Sequence, residues 1–283
     1  MTILLSAKPV AESLQADLKG RVEQFRQKTG RVPKLAVVLV GEDPASVIYT
    51  TRKGQQAMAL GMEHQTLKFP ADTAPQQVQD AVTQLNEDPS VDGILIQRPL
   101  PKTFEEESVA MWVAPEKDVD AFHPVNTGRL HLGLRCFQPC TPSGIMELLK
   151  FHKIPVSGKL ACVIGRSSIV GKPMAALLLQ ANATVIQAHS RTSDLRALTL
   201  QADILVAAAG IPGIIDASYV KRGAVVIDVG IHRTAENKLT GDVTFDEVSP
   251  LASAITPVPG GVGPMTIVML LSNTVQSAEI RGK

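Results

Sequence analysis

The chain has 283 residues, 45% of them hydrophobic, which suffices for one large domain or two modest ones with packed cores. Its formal net charge of +1 argues against a nucleic-acid or anionic-membrane partner, and no run approaches the ~18 apolar residues of a membrane helix. The N-terminal residues lack the basic start and apolar length of a secretory signal, so we expect a cytoplasmic protein.

The first part of the chain alternates helical and strand patterns. Apolar residues between Val10 and Phe25 recur at three- and four-residue steps, which predicts a helix that Gly30 ends. A second helix begins at Asp43-Pro44, and a third carries Val78, Val82 and Leu85. Strands are predicted at Leu35–Val40, near Gln65–Phe69 and at Gly93–Ile96. Successive βα units predict a parallel sheet covered by helices.

The second part begins after a less regular segment, Pro115–Arg135, which we interpret as surface or cleft structure. Thr141 is predicted to cap a helix that runs to about His152. Further strands are predicted at Leu160–Ile164, Ala183–Ala188, Ile204–Ala208 and Val225–Asp228. The loop Thr256–Pro264 then precedes an apolar helix, Met265–Ala278.

A glycine turn links the strand at 160 to the next helix, in the segment LACVIGRSSIVGKP. This arrangement places free backbone N–H groups and a positive helix end where a phosphate can bind. Gly165 and Gly171 frame the turn, but Ser167 stands where a strict G-x-G-x-x-G has its second glycine. The motif alone therefore also fits a strand-to-helix turn that binds no ligand.

The residues after the following strand favour NADP over NAD. NAD sites commonly place an acidic residue about 20 positions after the glycine turn, on the ribose 2′-hydroxyl. Here the strand ends in His189-Ser190-Arg191-Thr192, without a carboxylate. Ser190, Arg191 and Arg166 could bind a 2′-phosphate through charge-assisted hydrogen bonds. Alternatively, Arg191 is a solvated loop charge.

Several polar residues are candidates for a substrate site. Tyr49 and Lys53 are four apart on a predicted helix and share a face, and Gln97 lies at the carboxyl end of a predicted strand. Asp120, in the run KDVDAF, could pair with adjacent N–H donors of a heterocycle. Each also fits an ordinary solvated position. The loop PVPGGVGP at 257–264 combines glycine and proline at a density that favours ligand contact.

Two other kinds of site find no support. His131, Cys136 and Cys140 lie close in sequence but lack a clear fourth ligand, so we expect no metal. The chain contains no G-x-S-x-G motif of a serine hydrolase.

Taken together, these motifs closely resemble the bifunctional methylenetetrahydrofolate dehydrogenase/cyclohydrolase family, the FolD type. The matching stretches span almost the whole chain in the family's order: SVIY with Lys53, GILIQ with PLP, KDVDAFHPVNTGRL, PCTPSGIMELL, GRSSIVGKP, HSRT, DVGI and TPVPGGVGPMT. The chain departs from the family pattern at Ala121, where glycine is usual, at Arg98, where leucine is common, and at Gly54-Gln55-Gln56, where charged residues are frequent.

The resemblance implies an α/β fold of two domains with a cleft between them. Residues 1–139 would form the folate-binding catalytic domain, on which a final helix at 264–283 packs back. Residues 140–263 would form a Rossmann-like, parallel-sheet NADP-binding domain. A homodimer is the family expectation. The substrates would be tetrahydrofolate derivatives.

The implied activity is two reactions of one-carbon metabolism. NADP-dependent oxidation of 5,10-methylenetetrahydrofolate gives the 5,10-methenyl cation, and hydrolysis of that cation gives 10-formyltetrahydrofolate. The implied catalytic and folate-binding residues are Tyr49, Lys53, Gln97 and Asp120, with Pro259, Gly260 and Gly261 also contacting substrate. The implied cofactor residues are Gly165, Arg166, Ser167, Ser190, Arg191 and Ile231.

Lys53 is the residue we expect to act as base in the hydrolysis. An ordinary lysine has a pKa near ~10.4, and lowering it by ~3 units takes about 4 kcal/mol against the ammonium form. Neutral Gln97 can orient the amine without adding a negative charge, and the cationic substrate also disfavours an ammonium. The alternatives are a dehydrogenase without the hydrolysis step, a non-catalytic folate or nucleotide binder, and a shikimate-type dehydrogenase, which PVPGGVGPMT does not support.

Overall fold

The computed structural model describes residues 2–234 and 236–282. Within those ranges, none of the helices combines the length and the apolar character needed to cross a bilayer. Eleven strands and ten α-helices are described in that part of the chain. In chain order they are β1 (Ile3–Leu4), α1 (Ala7–Thr29), β2 (Lys34–Val40), α2 (Pro44–Ala59), β3 (Glu63–Phe69), α3 (Pro75–Glu87), β4 (Gly93–Ile96), α4 (Glu106–Ala110), α5 (Pro124–His131), α6 (Cys140–Phe151), β5 (Leu160–Ile164), α7 (Gly171–Gln180), β6 (Thr184–Ala188), α8 (Leu195–Thr199), β7 (Ile204–Ala207), β8 (Val225–Asp228), β9 (His232–Arg233), β10 (Leu239–Thr240), α9 (Phe245–Val248), β11 (Ala254–Ile255) and α10 (Val262–Arg281).

The chain divides into two compact units. Unit 1 contains residues 2–12 and 139–266, and unit 2 contains residues 13–138 and 267–282. Both α1 and α10 begin in unit 1 and end in unit 2.

Unit 2 is built on a three-stranded parallel sheet in the order β3-β2-β4. Its central strand, β2, is buried along almost its whole length, as expected for a strand covered on both faces. The predicted amphipathic helix α3 buries Val78, Val82 and Leu85 against this sheet. Asp43 caps α2 by accepting a hydrogen bond from the N–H of Ser46 at 2.8 Å, so the predicted start of that helix is confirmed.

Unit 1 is built on a six-stranded sheet in the order β1-β11-β8-β7-β5-β6, with every neighbouring pair parallel. Its core residues come from the buried strands and the helices that cover them, among them Ile164, Leu205, Val226 and Ile255. The predicted parallel sheet is therefore confirmed. A short antiparallel pair, β9 with β10, was not predicted.

Three predicted features are wrong in detail. The segment Pro115–Arg135 contains the helix α5, whose cap is His123: its Nδ1 accepts from the N–H of Val125 at 3.0 Å. Thr141 does not cap α6; its hydroxyl pairs with that of Thr266 at 3.0 Å. Helix α10 begins at Val262, so the glycine- and proline-rich loop is shorter than predicted.

Candidate active site

Lys53 and Gln97, which are 44 residues apart in sequence, are in direct contact. Lys53 lies on the buried face of α2 and is only 8% exposed. Its Nζ donates a hydrogen bond to Gln97 Oε1 at 2.8 Å. Gln97 follows β4, and its own N–H donates to the carbonyl of Val38 at 2.8 Å. The contact therefore lies at the carboxyl ends of parallel strands, the edge where ligands of such sheets bind.

The orientation of the Gln97 side chain is fixed by its neighbour. Gln97 Nε2 donates to the carbonyl of Arg98 at 2.6 Å, so the amide oxygen is the atom turned toward Lys53. The same carbonyl accepts from Ser46 Oγ at 3.3 Å. Lys53 therefore faces an uncharged acceptor whose direction is set by backbone contacts.

Tyr49 lies on α2 one turn before Lys53. Its side chain is half-exposed, in contrast to the buried Lys53. An exposed aromatic ring beside a buried polar pair can stack on a planar ligand.

Asp120 lies in a turn that Asp118 organises. Asp118 is buried and accepts hydrogen bonds from the N–H of Phe122 at 3.2 Å, the N–H of His123 at 2.9 Å and Asn126 Nδ2 at 2.9 Å. Its burial raises the pKa of this carboxyl to about 6, and these hydrogen bonds only partly oppose the rise. The sequence singled out Asp120 alone, although the K-D-V-D run offered both carboxylates.

One departure from the family pattern, Ala121, lies in this turn. Ala121 has a φ of +62°, in the left-handed region that favours glycine. Its N–H donates to the carbonyl of Asp118 at 3.1 Å. Helix α10 also holds the turn, through Asn273 Nδ2, which donates to the carbonyl of Val119 at 2.8 Å. The chain thus tolerates alanine where the backbone conformation suits glycine.

Arg98 contacts Phe122, a residue of the same turn. Its guanidinium pairs with Glu106 at 2.6 Å and lies over the ring of Phe122, 5.2 Å from the centroid. Arg98, Asp118, Asp120 and Phe122 together line one pocket of unit 2. The pocket combines carboxylates with apolar walls, which suits a heterocycle that carries N–H donors.

In unit 1, the two glycines of the predicted nucleotide turn lie where side chains do not fit. Gly165 has a φ of +122°, and a Cβ there would collide with the carbonyl of Ala208. A Cβ on Gly171 would collide with the carbonyl of Gly165. Both positions bring backbone close to backbone, as dinucleotide-binding turns require.

Ser167 accepts hydrogen bonds from some of the backbone N–H groups at the start of α7. Its hydroxyl accepts from the N–H of Val170 at 3.2 Å and from that of Gly171 at 3.3 Å, and its carbonyl accepts from Lys172 at 3.0 Å. The N–H groups of Val170 and Gly171 are therefore not free, contrary to the prediction of free N–H groups at this turn, because a serine occupies the place of the second glycine.

Arg166 and the Ser190–Arg191 pair follow neighbouring strands. Strand β6 lies beside β5, and the N–H of Gly165 donates to the carbonyl of Ala188 at 2.8 Å. The N–H of Arg191 donates to His189 Nδ1 at 3.1 Å, which shapes the loop. Arg166, Ser190 and Arg191 are all exposed. Two guanidinium groups and a hydroxyl are thus offered at the carboxyl end of two adjacent strands.

Two buried aspartates, Asp228 and Asp242, hold the loop that carries Ile231, and no motif in the sequence predicted this role. Asp228 accepts from the N–H groups of Gly230 and Asp242, both at 2.9 Å, and burial raises its pKa to about 6. Asp242 in turn pairs with His232 Nε2 at 2.7 Å. Ile231 is therefore fixed on both sides while its own side chain is 49% exposed.

The predicted substrate loop belongs to unit 1 by its contacts. Gly260 has a φ of +101°, and its carbonyl accepts from the N–H of Ala7 at 2.8 Å. Pro259 is exposed, whereas Gly261 is buried against Pro257. No cluster of His, Cys, Asp and Glu suited to a metal ion occurs among residues 2–234 and 236–282.

Known proteins match this chain over nearly its whole length. Residues 5–120 match the catalytic domain of tetrahydrofolate dehydrogenase/cyclohydrolase, and residues 139–282 match its NAD(P)-binding domain. The "Bifunctional protein FolD" of Lactococcus lactis subsp. cremoris (strain MG1363) is 52% identical over 275 residues, which cover 97% of this chain and 96% of that protein.

Solved structures agree with this match. The bifunctional FolD methylenetetrahydrofolate dehydrogenase/cyclohydrolase from Campylobacter jejuni has a TM-score of 0.97 and 44% identity, covering 99% of this chain and 100% of that one. The Trypanosoma brucei enzyme, complexed with NADP cofactor and inhibitor, has a TM-score of 0.94 and 36% identity, covering 99% and 98%. The chain therefore belongs to the tetrahydrofolate dehydrogenase/cyclohydrolase family.

Proposed function

We propose that this protein is a bifunctional one-carbon folate enzyme. It oxidises 5,10-methylenetetrahydrofolate to the 5,10-methenyl cation with NADP and then hydrolyses the cation to 10-formyltetrahydrofolate. The observation that carries the proposal is the 2.8 Å contact between buried Lys53 and Gln97, in a chain of this family. Residues 1–139 with the final helix at 264–283 would bind folate, and residues 140–263 would bind NADP.

The oxidation requires that the folate and nicotinamide rings be aligned, and it needs no acid or base. NADP, when bound, supplies the acceptor for the hydride. The exposed ring of Tyr49 stacks on the folate, and Asp120 accepts hydrogen bonds from the edge of the pterin ring. Pro259, Gly260 and Gly261 complete the substrate contacts in this proposal. Aligned rings account for most of what the protein contributes to this step.

The residues of unit 1 fit NADP on their own geometry. A side chain at Gly165 or Gly171 would fill the space where the turn approaches backbone, so the turn keeps the shape that a dinucleotide needs. Exposed Arg166, Ser190 and Arg191 would bind the 2′-phosphate, which a carboxylate at the same strand end would repel. Ser167 and Ile231 would contact the rest of the cofactor.

Lys53 is the base for the hydrolysis in this proposal. A neutral amine accepts a proton from the water that attacks the methenyl carbon, while Gln97 Oε1 holds one of its N–H groups. Gln97 is turned toward Lys53 by its bond to the carbonyl of Arg98 and adds no negative charge. Both the uncharged partner and the cationic substrate disfavour the ammonium form.

An absorbance assay on purified protein tests the two activities together. Methylenetetrahydrofolate and NADP should give a methenyl species that appears and then decays. Lys53→Met should abolish the decay of added methenyltetrahydrofolate, while the protein still folds and binds folate. The matched control is Lys150→Met, at an exposed site on α6.

Three outcomes separate the alternatives. Appearance of the methenyl species without decay in the wild type would indicate a dehydrogenase alone, and no turnover would indicate a non-catalytic binder. Wild-type hydrolysis by the Lys53→Met variant would exclude Lys53 as the base. We also propose a cytoplasmic homodimer, and sedimentation equilibrium would test its oligomeric state.

A further inference from the structure

The side chain of Gln187 donates a hydrogen bond to the backbone of the glycine turn in unit 1. Gln187 lies on β6, where it is paired with Val163 of the neighbouring strand β5, two residues before Gly165. Its Nε2 donates to the carbonyl of Gly165 at 3.1 Å. Among the residues that the structure describes, this is the only hydrogen bond to that carbonyl. An exposed glutamine on the adjacent strand therefore supplies the polar partner of the turn.

The peptide unit after Gly165 needs such a partner because glycine does little to fix its own backbone. Gly165 has a φ of +122°, which side chains rarely allow, and glycine moves between backbone conformations at little cost. Its carbonyl packs closely against the start of α7, where a Cβ on Gly171 would collide with it. The bond from Gln187 adds a direction to this packing, since hydrogen bonds favour near-linear geometry. The carbonyl is thus held by contact with α7 and by a hydrogen bond from β6.

Holding this carbonyl also sets the direction of the next backbone N–H. The peptide bond between Gly165 and Arg166 is trans, so its carbonyl and its N–H lie in one plane and point in opposite directions. In the described part of the chain, the N–H groups of residues 166–169 have no hydrogen-bond partner, unlike those of Val170 and Gly171. The Arg166 N–H is the first of these four donors, which remain available to an anion at the turn.

We propose that Gln187 is a positioning residue for the dinucleotide, whose amide fixes the Gly165–Arg166 peptide so that the Arg166 N–H is available to the diphosphate. This inference rests on the proposed function. The diphosphate is common to NADP and NAD, so Gln187 sets the affinity for both without selecting between them. Its role therefore differs from that proposed for Arg191, whose guanidinium would act on the 2′-phosphate that NADP alone carries.

The test removes the amide donor while keeping the length of the side chain. In the full-length protein, Gln187→Met should raise the Kd for NADP and the Kd for NAD about three- to tenfold each, as expected for one neutral hydrogen bond. Both are measured by titration calorimetry without folate, and their ratio should stay within about twofold of the wild-type ratio. KM for NADP should rise while kcat of oxidation stays within about twofold. Hydrolysis of added methenyltetrahydrofolate without a dinucleotide should not change.

Two further variants complete the design. The matched control is Gln201→Met, because Gln201 is an exposed glutamine whose Nε2 also donates to a backbone carbonyl, that of Ala197 at 2.8 Å. This control should leave both Kd values unchanged. Gln187→Glu keeps the shape of the side chain, but its carboxylate cannot donate to the Gly165 carbonyl, so the Kd for NADP should rise at least as much as in Gln187→Met. Should the methionine variant not fold, Gln187→Ala repeats the test.

Three results overturn the proposal. A merely structural Gln187 predicts that Gln187→Met unfolds at lower urea concentration but binds both dinucleotides within about twofold of the wild type. Loss of NADP affinity alone would assign Gln187 to the 2′-phosphate, and an equal loss of dinucleotide-free hydrolysis would indicate general damage. If the wild type itself binds neither NADP nor NAD, the proposed function fails first, whatever the variants do.

Discussion

The partner of Lys53 is a neutral amide, and replacing it by a carboxylate of the same length gives a direct test of the chemistry. In Gln97→Glu, an anionic oxygen takes the place of the amide oxygen that lies 2.8 Å from Lys53 Nζ. The negative charge favours the ammonium form of Lys53, which has no lone pair to accept a proton. We expect the variant to lose hydrolysis near neutral pH.

The size of the effect follows from the distance. At 2.8 Å and an effective dielectric constant of about 20, opposite unit charges attract by about 6 kcal/mol. Solvent screening and relaxation of two flexible side chains reduce this gross figure. If only half of it is realised, about 3 kcal/mol remains, which corresponds to a rate near neutrality about 100-fold lower.

The assay is the pH dependence of methenyltetrahydrofolate hydrolysis, measured with the wild type, Gln97→Glu and Gln97→Met. For a 100-fold effect, the rising limb of the glutamate variant should lie about 2 pH units higher than that of the wild type. Gln97→Met removes the acceptor without adding charge, so its rate should fall without such a displacement. Unchanged hydrolysis by Gln97→Glu at every pH would refute the requirement for a neutral amine.

Three further predictions concern the cofactor turn, its packing and a buried carboxyl. Arg191→Ala or Arg166→Ala should reduce the preference for NADP over NAD in kcat/KM, whereas equal loss with both cofactors would indicate damage to the whole turn. Gly171→Ala should lower the free energy of unfolding by about 1 to 3 kcal/mol and raise KM for NADP, because its Cβ collides with backbone. The control Gly128→Ala, in the open part of α5, should instead stabilise by about 0.5 to 1 kcal/mol in urea unfolding, and equal effects at the two glycines would contradict the packing argument. Since burial raises the pKa of Asp118 to about 6, this carboxyl contributes most to stability below about pH 4 and loses that contribution as the pH rises through about 6. The difference in stability between wild type and Asp118→Asn should therefore shrink by about 2 to 3 kcal/mol between pH 4 and pH 7, and a constant difference would show that Asp118 does not titrate in this range.

Much of the fold could be predicted because its elements are long and regular. The apolar spacing in α1 and α3 predicts amphipathic helices, and the continuous apolar run of β2 predicts a buried strand. Helix α5 was missed because His123 caps it, and histidine is not among the usual capping residues. The prediction that Thr141 caps α6 was wrong for the opposite reason. Threonine is a common capping residue, but the Thr141 hydroxyl bonds to that of Thr266, which lies 125 residues away.

The sequence predicted which residues form the candidate site but not the contacts that orient them. The strand-end position of Gln97 and the helical spacing of Tyr49 and Lys53 sufficed to select these residues, since parallel sheets gather ligands at one edge. The direction of the Gln97 amide depends on the backbone carbonyl of Arg98, which no sequence pattern reveals. The contact of Asp242 with His232 was equally hidden, because neither residue belongs to a motif with a known partner.

The way the chain divides between its two units has a practical consequence for anyone who wishes to study one half alone. Cutting the gene near residue 139 gives a first fragment without the end of α10, and a second without β1, which completes the six-stranded sheet beside β11. Neither product would contain a whole folding unit. A fragment that keeps unit 2 must instead join residues 13–138 to 267–282 through an artificial linker, and unit 1 must be rebuilt from residues 2–12 and 139–266 in the same manner.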